Sequence, residues 1–233
     1  MKRYASLLVL SLLLISSASA QEKTGFAGRP ITENLFGPTG NTLHQNEFTI
    51  GIGPVEYGIT ENLQIGTNLL LFILQYYNAE VKYSIINTET QALAVGLGVG
   101  HFDLNAWDSD ADLTFTTYSP FVAYSMPIGP VSRMHLSANY TYFSGSVNID
   151  DAEASSTSSG TSLTAGVEHS ISNKTKFVGD LGYDIDFEGI RAGGGVLWGW
   201  DSFRLKLGLQ YFAPKGTDGF VLPYIGLWWR FDG

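Results

Sequence analysis

The sequence contains no cysteine. A disulfide framework, a thiolate metal site and a lipidated N-terminal cysteine are therefore excluded. Whatever fold the chain adopts must be held by side-chain packing or by the surrounding solvent.

Beyond residue 20 the chain also lacks long apolar runs, because no later segment offers about eighteen uninterrupted apolar residues for a membrane-spanning helix. The first twenty residues combine Lys2 and Arg3 with an apolar run over 7–15 and a small-residue exit at 18–20. This pattern predicts a secretory signal peptide over 1–20, cleaved after Ala20. We expect a short N-terminal lead-in over 21–30 and one domain over 31–233.

Basic residues are scarce. Removal of Lys2 and Arg3 leaves 11 of the 13 basic residues against 22 acidic ones. This balance argues against a nucleic-acid partner. Glycine (27) and aromatic residues (14 Phe, 12 Tyr, 5 Trp) are abundant, whereas sustained helical periodicity is absent. The composition indicates an exported all-β domain.

One five-residue pattern recurs along the chain, with mostly apolar residues at positions one, three and five and an aromatic ring in the middle. The copies lie at 55–59, 81–85, 122–126, 167–171, 196–200 and 227–231. A turn-prone segment follows each of the first five copies, and a new apolar-polar alternation then begins. This arrangement predicts a series of hairpins.

The alternating runs have one apolar and one polar face, as "FRLKLGLQY" shows at 203–211. A soluble β-sandwich or a lipocalin-like barrel would also alternate. Several runs, however, reach about nine to eleven residues, the length of a tilted strand that crosses a bilayer. Rings also gather at both ends of the runs, as in the two aromatic belts of a transmembrane barrel. One belt comprises Tyr57, Tyr83, Tyr124, His169 and Trp198, and the other Phe102, Tyr118, Tyr142, Tyr183, Tyr211 and Phe212.

Six copies of the pattern predict six strands that descend to the tight turns, each with an ascending partner. The first partner is predicted as a short strand around Thr32 to Phe36, with a hairpin loop over 37–46 and a bulge at Gly53-Pro54. We predict an all-β fold, a transmembrane antiparallel β-barrel of twelve strands, with ten as the alternative. Short turns should lie in the periplasm and longer loops outside the cell.

The C-terminal stretch resembles the outer-membrane β-barrels of bacteria with two membranes, whose last strand ends in an aromatic residue preceded by alternating apolar residues. The matching positions are Ile225, Leu227, Trp229 and Phe231. The segment "YGITENLQIG" also looks like a turn of uncharacterised porin-like barrels. The resemblance implies a location in the cell outer membrane, with outer-membrane lipid and the barrel-assembly machinery as partners. It names no substrate.

In such a barrel the polar face lines the lumen. The charged and histidine positions on that face are Glu56, Glu80, Lys82, Arg133, His135, Glu168, Lys176, Asp180, Arg191, Arg204 and Lys206. Many other inward positions are small glycines. We therefore expect a narrow passive channel for small hydrophilic, cationic or neutral solutes. The alternative is a structural or surface-interaction barrel whose interior is filled by paired charges.

Acidic residues concentrate on the long-loop side. They include Asp108, Asp110, Asp112, Asp150, Asp151, Asp184, Asp186 and Glu188. Such a rim would concentrate cations at the extracellular mouth, although a plain solvated surface explains it equally. The Asp-x-Asp-x-Asp run at 108–112 lacks the glycine of a calcium loop, since Leu113 stands in its place. No metal or cofactor is expected. The low-complexity segment 150–160 is expected to form a loop.

The sequence gives little sign of catalysis. Of the four histidines only His135 is predicted to face the lumen, and no nucleophile elbow or metal-spaced histidine cluster is present. We expect a protein that is not an enzyme.

Overall fold

The computed structural model describes residues 25–103, 111–149 and 152–231. Twelve antiparallel strands close into one barrel, in which the first strand pairs with the last. The predicted number of strands and the fold class are confirmed. The strands and one helical turn are β1 (Phe48–Ile52), β2 (Pro54–Thr60), β3 (Leu63–Asn68), α1 (Leu69–Ile73), β4 (Tyr76–Asn87), β5 (Ala92–Asp103), β6 (Ala111–Gly129), β7 (Ser132–Ile149), β8 (Ala152–Ser172), β9 (Thr175–Asp184), β10 (Gly189–Gly199), β11 (Phe203–Ala213) and β12 (Phe220–Phe231).

The two faces of the wall differ as the alternation predicts. In β4, Lys82 is 2% exposed on the inner face, whereas its neighbour Tyr83 is 49% exposed on the outer face. The outer face is apolar, and most of the buried charged residues lie inside. This arrangement, with apolar side chains outside and charged ones inside, is the reverse of a soluble fold. It suits a lipid environment, because lipid favours exposed apolar side chains and offers no hydrogen bonds to polar ones.

The predicted start of the barrel was wrong. The segment around Thr32 to Phe36 forms no strand of the wall, and residues 48–60 supply both of the first two strands. Gly53, with φ of +118°, lies between them, and Phe48 pairs with Tyr57. The phase slip at Gly53-Pro54 is thus a chain reversal and not a bulge, made possible by a backbone conformation that glycine adopts freely.

Residues 25–47, here called the plug, lie inside the barrel. The plug enters at the tight-turn end, reverses where the Asn34 amide donates to the Gly37 carbonyl (2.9 Å), and returns to β1. The side chains of Ile31 and Leu35 pack against Val178 and Leu197 of the wall. The lumen therefore contains a small hydrophobic core, made by the segment that sequence reasoning assigned to a strand and a loop.

The wall is uneven in height. Strands β6, β7 and β8 have 19, 18 and 21 residues, whereas β1, β2 and β3 have 5, 7 and 6. The loop predicted over 150–160 is wrong for 152–160, which belong to β8 and pair with β7. A run of serine and threonine can form a strand when its backbone N–H and C=O groups bond to those of a neighbouring strand.

Two rings of the predicted extracellular belt point the other way. Tyr118, Tyr142 and Tyr183 lie on the outer face as expected. Phe102 instead lies on the inner face of β5, and Phe212 lies on the inner face of β11. The ring of Phe212 contacts Phe36 of the plug at 5.0 Å between centroids.

Helix α1 is a single turn between β3 and β4. Its first amides are capped by Asn68, whose Oδ1 accepts a hydrogen bond from the Leu70 amide at 3.1 Å. Within residues 25–103, 111–149 and 152–231, no helix is long and apolar enough to cross a membrane.

Candidate functional site in the lumen

All eleven charged or histidine positions predicted for the lumen lie on the inner face of the wall. They are Glu56, Glu80, Lys82, Arg133, His135, Glu168, Lys176, Asp180, Arg191, Arg204 and Lys206. Seven of them are buried. Burial follows from the plug, which occupies the space that these side chains would otherwise share with water.

Three lysines of the wall bind backbone carbonyls of the plug. Lys82 donates to the Thr32 carbonyl at 2.9 Å, and Lys206 donates to the Asn34 carbonyl at 3.2 Å. Lys176 donates to the carbonyl of Arg29. Irregular backbone inside a barrel has no sheet partner, so these ammonium groups satisfy acceptors that would otherwise be buried without a donor.

Two carboxylates of the wall bind backbone amides of the plug. Glu168 accepts from the Ile31 amide at 3.0 Å. One oxygen of Asp180 accepts from the amides of Leu35 (3.0 Å) and Phe36 (2.8 Å). Charged side chains of both signs thus hold the plug at the point where it reverses direction.

His135 and Ser125 form a hydrogen-bonded pair at 2.8 Å. This spacing would suit a base and a nucleophile, but the same serine oxygen accepts the Gly40 amide of the plug at 2.8 Å and both side chains are buried. The pair therefore anchors the plug. Among the described residues no cluster of three or more His, Asp or Glu could hold a metal ion.

The three arginines pack against aromatic rings or neighbouring carboxylates. The guanidinium groups of Arg191 and Arg204 lie over Phe36 (5.4 Å) and Phe26 (5.0 Å) of the plug. Arg133 lies 3.9 Å from a carboxylate oxygen of Glu168. These contacts add apolar and cation–π packing to the hydrogen bonds that hold the plug.

Glu56 and Glu80 lie at the edge of the plug. With Lys82 and Glu33 they line a cavity of about 150 Å³. Glu56 accepts hydrogen bonds from Thr49 (3.3 Å) and Gln64 (3.0 Å). Here the side chains of Glu56 and Glu80 face a cavity and not the backbone of the plug.

Sequence reasoning missed the most connected charge of the lumen, Glu47. Its carboxylate pairs with Arg29 at 2.6 Å and with Arg230 of β12 through two hydrogen bonds, and it accepts the His44 amide at 2.9 Å. Burial alone would raise the pKa of Glu47, but Arg230 and Arg29 outweigh it, so the pKa lies below its ordinary value of 4.5. The inward Arg230 was the available signal, because a buried arginine requires an acidic partner.

A comparison of sequences agrees with the fold. The profile of the family described as "Outer membrane protein beta-barrel domain" matches residues 5–211. The chain belongs to this family. It is therefore an outer-membrane β-barrel, and the bacterial outer membrane is its location.

Other comparisons were less informative. A solved structure of Ail, the attachment invasion locus protein of Yersinia pestis, is similar at 13% identity, with 80% of this chain and 99% of that chain covered and a TM-score of 0.34. A similarity of that degree says nothing about the activity of this barrel. No curated protein matches the chain.

In this outer-membrane barrel the residues of the predicted assembly signal lie on the outer face of β12. Ile225 is 66% exposed, and Trp229 and Phe231 are also exposed; Leu227 pairs with Ile52 of β1. On the inner face, Tyr224 and Trp228 pack against the small core of the plug. The C-terminal stretch thus closes the barrel and covers the plug at once.

The described residues of the predicted acidic rim have partners. Asp184 lies 3.1 Å from Arg191, Asp186 accepts the Thr161 amide at 2.6 Å, and Glu188 pairs with Lys215. Four of the other positions fall outside the described residues, as does the side chain of the fifth; these are Asp108, Asp110, Asp150, Asp151 and Asp112.

Proposed function

We propose that the protein is an outer-membrane barrel with a filled, non-conducting interior, whose function is structural or depends on contacts at its extracellular half. The plug carries the proposal, because it reverses inside the lumen and is bonded to wall strands on several sides. Between the two sequence-based hypotheses, these contacts favour the filled barrel over the passive channel.

The energy of the contacts supports a closed resting state. Lys82, Lys176 and Glu168 are each nearly inaccessible to solvent. Withdrawal of the plug would break their hydrogen bonds and expose the apolar side chains of Ile31 and Leu35. Each hydrogen bond to a charged group contributes about 1.5–3 kcal/mol, so loss of several together opposes spontaneous opening.

A narrow passive channel for small hydrophilic, cationic or neutral solutes is the second candidate. It is favoured by a cavity of about 760 Å³ at the tight-turn mouth, between the plug and the turns, which reaches Arg133 and Glu168. Solutes could use this space if the plug moved aside. Asp184 and Glu188 are paired with basic side chains. This weakens the predicted preference for cations, because a carboxylate paired with a basic group attracts other cations less.

Solute flux into vesicles tests the proposal. Vesicles that contain the purified protein should swell no faster than protein-free vesicles in arabinose, in lysine hydrochloride and in sodium glutamate. Swelling that is fastest in lysine hydrochloride would instead establish a cation-preferring channel. Swelling that is faster than in protein-free vesicles, and equally so in all three solutes, would also contradict the filled barrel.

A further inference from the structure

The extracellular half of the barrel has an incomplete wall. Five of the twelve residues of β12 pair with β1, so the stretch from Phe220 to Gly226 has no strand on its β1 side. On the other flank β3 pairs with β4 only as far as Gly66 and Glu80. Above β1 to β3 the described residues thus supply no strand between the upper parts of β12 and β4, and we call this region, about three strand widths or roughly 15 Å, the lateral gap; α1 lies on its β4 side.

The depth of the lateral gap places it in the membrane. A tilted strand needs about 9–11 residues to cross a bilayer, and β4, β5, β11 and β12 have 12, 12, 11 and 12. The five to seven residues of β1 to β3 reach only part of that distance from the tight turns. With those turns in the periplasm, the gap opens to the outer leaflet and not to water.

The sequence at the lateral gap fits an open edge. Pro223 pairs with Leu209 of β11 but lies in the part of β12 that has no partner in β1, and proline is tolerated in a strand where no neighbour needs its amide. Across the gap, Phe72 of α1 packs on Tyr77 at 5.4 Å between centroids, and Leu69, Leu70 and Ile73 are exposed. Apolar side chains therefore border the gap on both sides, and below α1 Thr67 and Asn68 hydrogen-bond to Asn78 of β4.

The lumen behind the lateral gap is aromatic where a pore for hydrophilic solutes would be polar. On one side Phe115 contacts Tyr76 (5.8 Å), Phe102 (4.7 Å) and Phe143 (5.0 Å), measured between ring centroids. Tyr76 lies directly over Gly100, where an added Cβ would clash with its hydroxyl oxygen. These inward rings form a continuous apolar surface on β4 to β7.

The opposite side of the upper lumen carries further rings beside an ion pair, because Arg191, which lies opposite Phe212 in the ladder, pairs with Asp184. Phe212 stacks on Phe220 at 5.5 Å and contacts Phe36 of the plug. Phe220 and Leu222 lie on the inner face of β12 and are nevertheless 50% and 45% exposed. Phe36 therefore extends this group of rings from the wall onto the plug.

We propose that this upper lumen receives a hydrocarbon chain of an outer-leaflet lipid through the lateral gap. Apolar side chains of β12 and α1 border the gap, and the rings of Phe212 and Phe220 continue this apolar surface on the inner face. An acyl chain is the molecule that is always present at such an opening, and it would bury the exposed apolar area at about 25 cal/mol per Å². The proposal goes beyond a filled barrel and does not depend on whether the lower half conducts.

Photo-crosslinking in vesicles tests this inference. The full chain is reconstituted into phosphatidylethanolamine–phosphatidylglycerol vesicles doped with a phospholipid that carries a diazirine at the end of one acyl chain. After irradiation, labelled residues are mapped by mass spectrometry. We expect labels on inward residues Phe102, Phe212 and Leu222 besides the outward belt. If the wild-type protein were labelled only on outward residues, this result would overturn the proposal without any variant.

A pair of adjacent substitutions in β5 gives the matched control. Gly98 faces the lumen with room for a side chain, since an added Cβ would lie 3.6 Å from the nearest atom of Ser119, and Leu97 faces lipid. Gly98→Trp should lower luminal labelling at least fivefold, and Leu97→Trp should leave it within twofold. Unchanged labelling in Gly98→Trp, or luminal labelling only by a diazirine fatty acid added from water, would contradict lateral entry from the leaflet.

Discussion

At the scale of single residues, Glu47 joins three parts of the chain. It is bonded to Arg29 near the start of the plug and to Arg230 of the closing strand, and it is itself the last residue of the plug. Substitution Glu47→Gln removes the charge and leaves the largely buried Arg230 without its counter-ion. We expect a loss of roughly 3 kcal/mol in stability, as for other buried pairs that lose one partner.

The measurement is the temperature at which the folded band on an unboiled gel converts to the unfolded band. Glu61→Gln is the control, because Glu61 pairs with His44 at a site where both side chains are 60% exposed. Exposed pairs contribute about 1 kcal/mol or less, so this variant should convert close to the wild-type temperature. Equal shifts for the two variants would contradict the role given to Glu47.

The same carboxylate predicts a dependence on pH. Its pKa in the folded protein lies below 4.5, so the folded state binds fewer protons than the unfolded state near that pH. The stabilisation is therefore present above pH 4.5 and is lost as the pH falls through the lower folded pKa. The transition temperature of the wild type should drop in this acidic window, and the drop should shrink in Glu47→Gln; parallel pH curves would contradict this account.

At the scale of elements, the plug is held by an apolar contact as well as by charges. Ile31 and Leu35 are buried against the wall, and truncation of a buried aliphatic side chain to alanine costs about 2–5 kcal/mol. The double variant Ile31→Ala, Leu35→Ala should release the plug while the wall stays closed. Endoproteinase Glu-C should then cut after Glu33 at least ten times faster than in the wild type, in protein whose barrel still resists heat on a gel.

The control for the plug is Ile225→Ala, which truncates an aliphatic side chain on the outer face of β12. Its rate of cleavage by Glu-C after Glu33 should match that of the wild type. Equal protection of Glu33 in the double variant would mean that the apolar contact does not retain the plug.

The closing strand predicts a defect of assembly. Phe231 pairs with Phe48 across the β1–β12 seam and stacks near it at 6.4 Å. We propose that the assembly machinery binds this strand end, so Phe231→Ser should lower the amount of folded protein in the outer membrane at least fivefold. Val221→Ser, at the far end of the same outer face, is the control. If Phe231→Ser also failed to refold from urea into detergent, the defect would lie in the seam and not in recognition.

Alternation and turn chemistry predicted most of the wall but not its contents. From β4 to β12 each strand has a face selected by lipid, and period two suffices to find it. The plug was not predicted because its backbone groups bond to residues far away in the chain. The amide of Leu35, for example, donates to Asp180, 145 positions away. The same inward charges were placed correctly, yet their partners are backbone atoms of the plug, which no local pattern reveals. The lateral gap was not predicted because Gly53 divides one predicted long strand into the two short strands β1 and β2.

At the scale of the whole molecule, the barrel has two halves with different interiors. The half near the tight turns holds the plug, and the other half carries two groups of aromatic rings beside the ion pair of Arg191 and Asp184. A barrel that is sealed below and open sideways is suited to contact with the membrane and the cell surface. Permeation would require the plug to leave.

Single-molecule recording in planar bilayers tests this central claim most directly. The wild-type protein should leave the membrane silent at applied potentials up to the limit of the bilayer, and the variant Ile31→Ala, Leu35→Ala should produce discrete conductance steps as the plug leaves. Regular steps from the wild-type protein, with a conductance equal to that of the variant, would contradict the claim that residues 25–47 close the barrel.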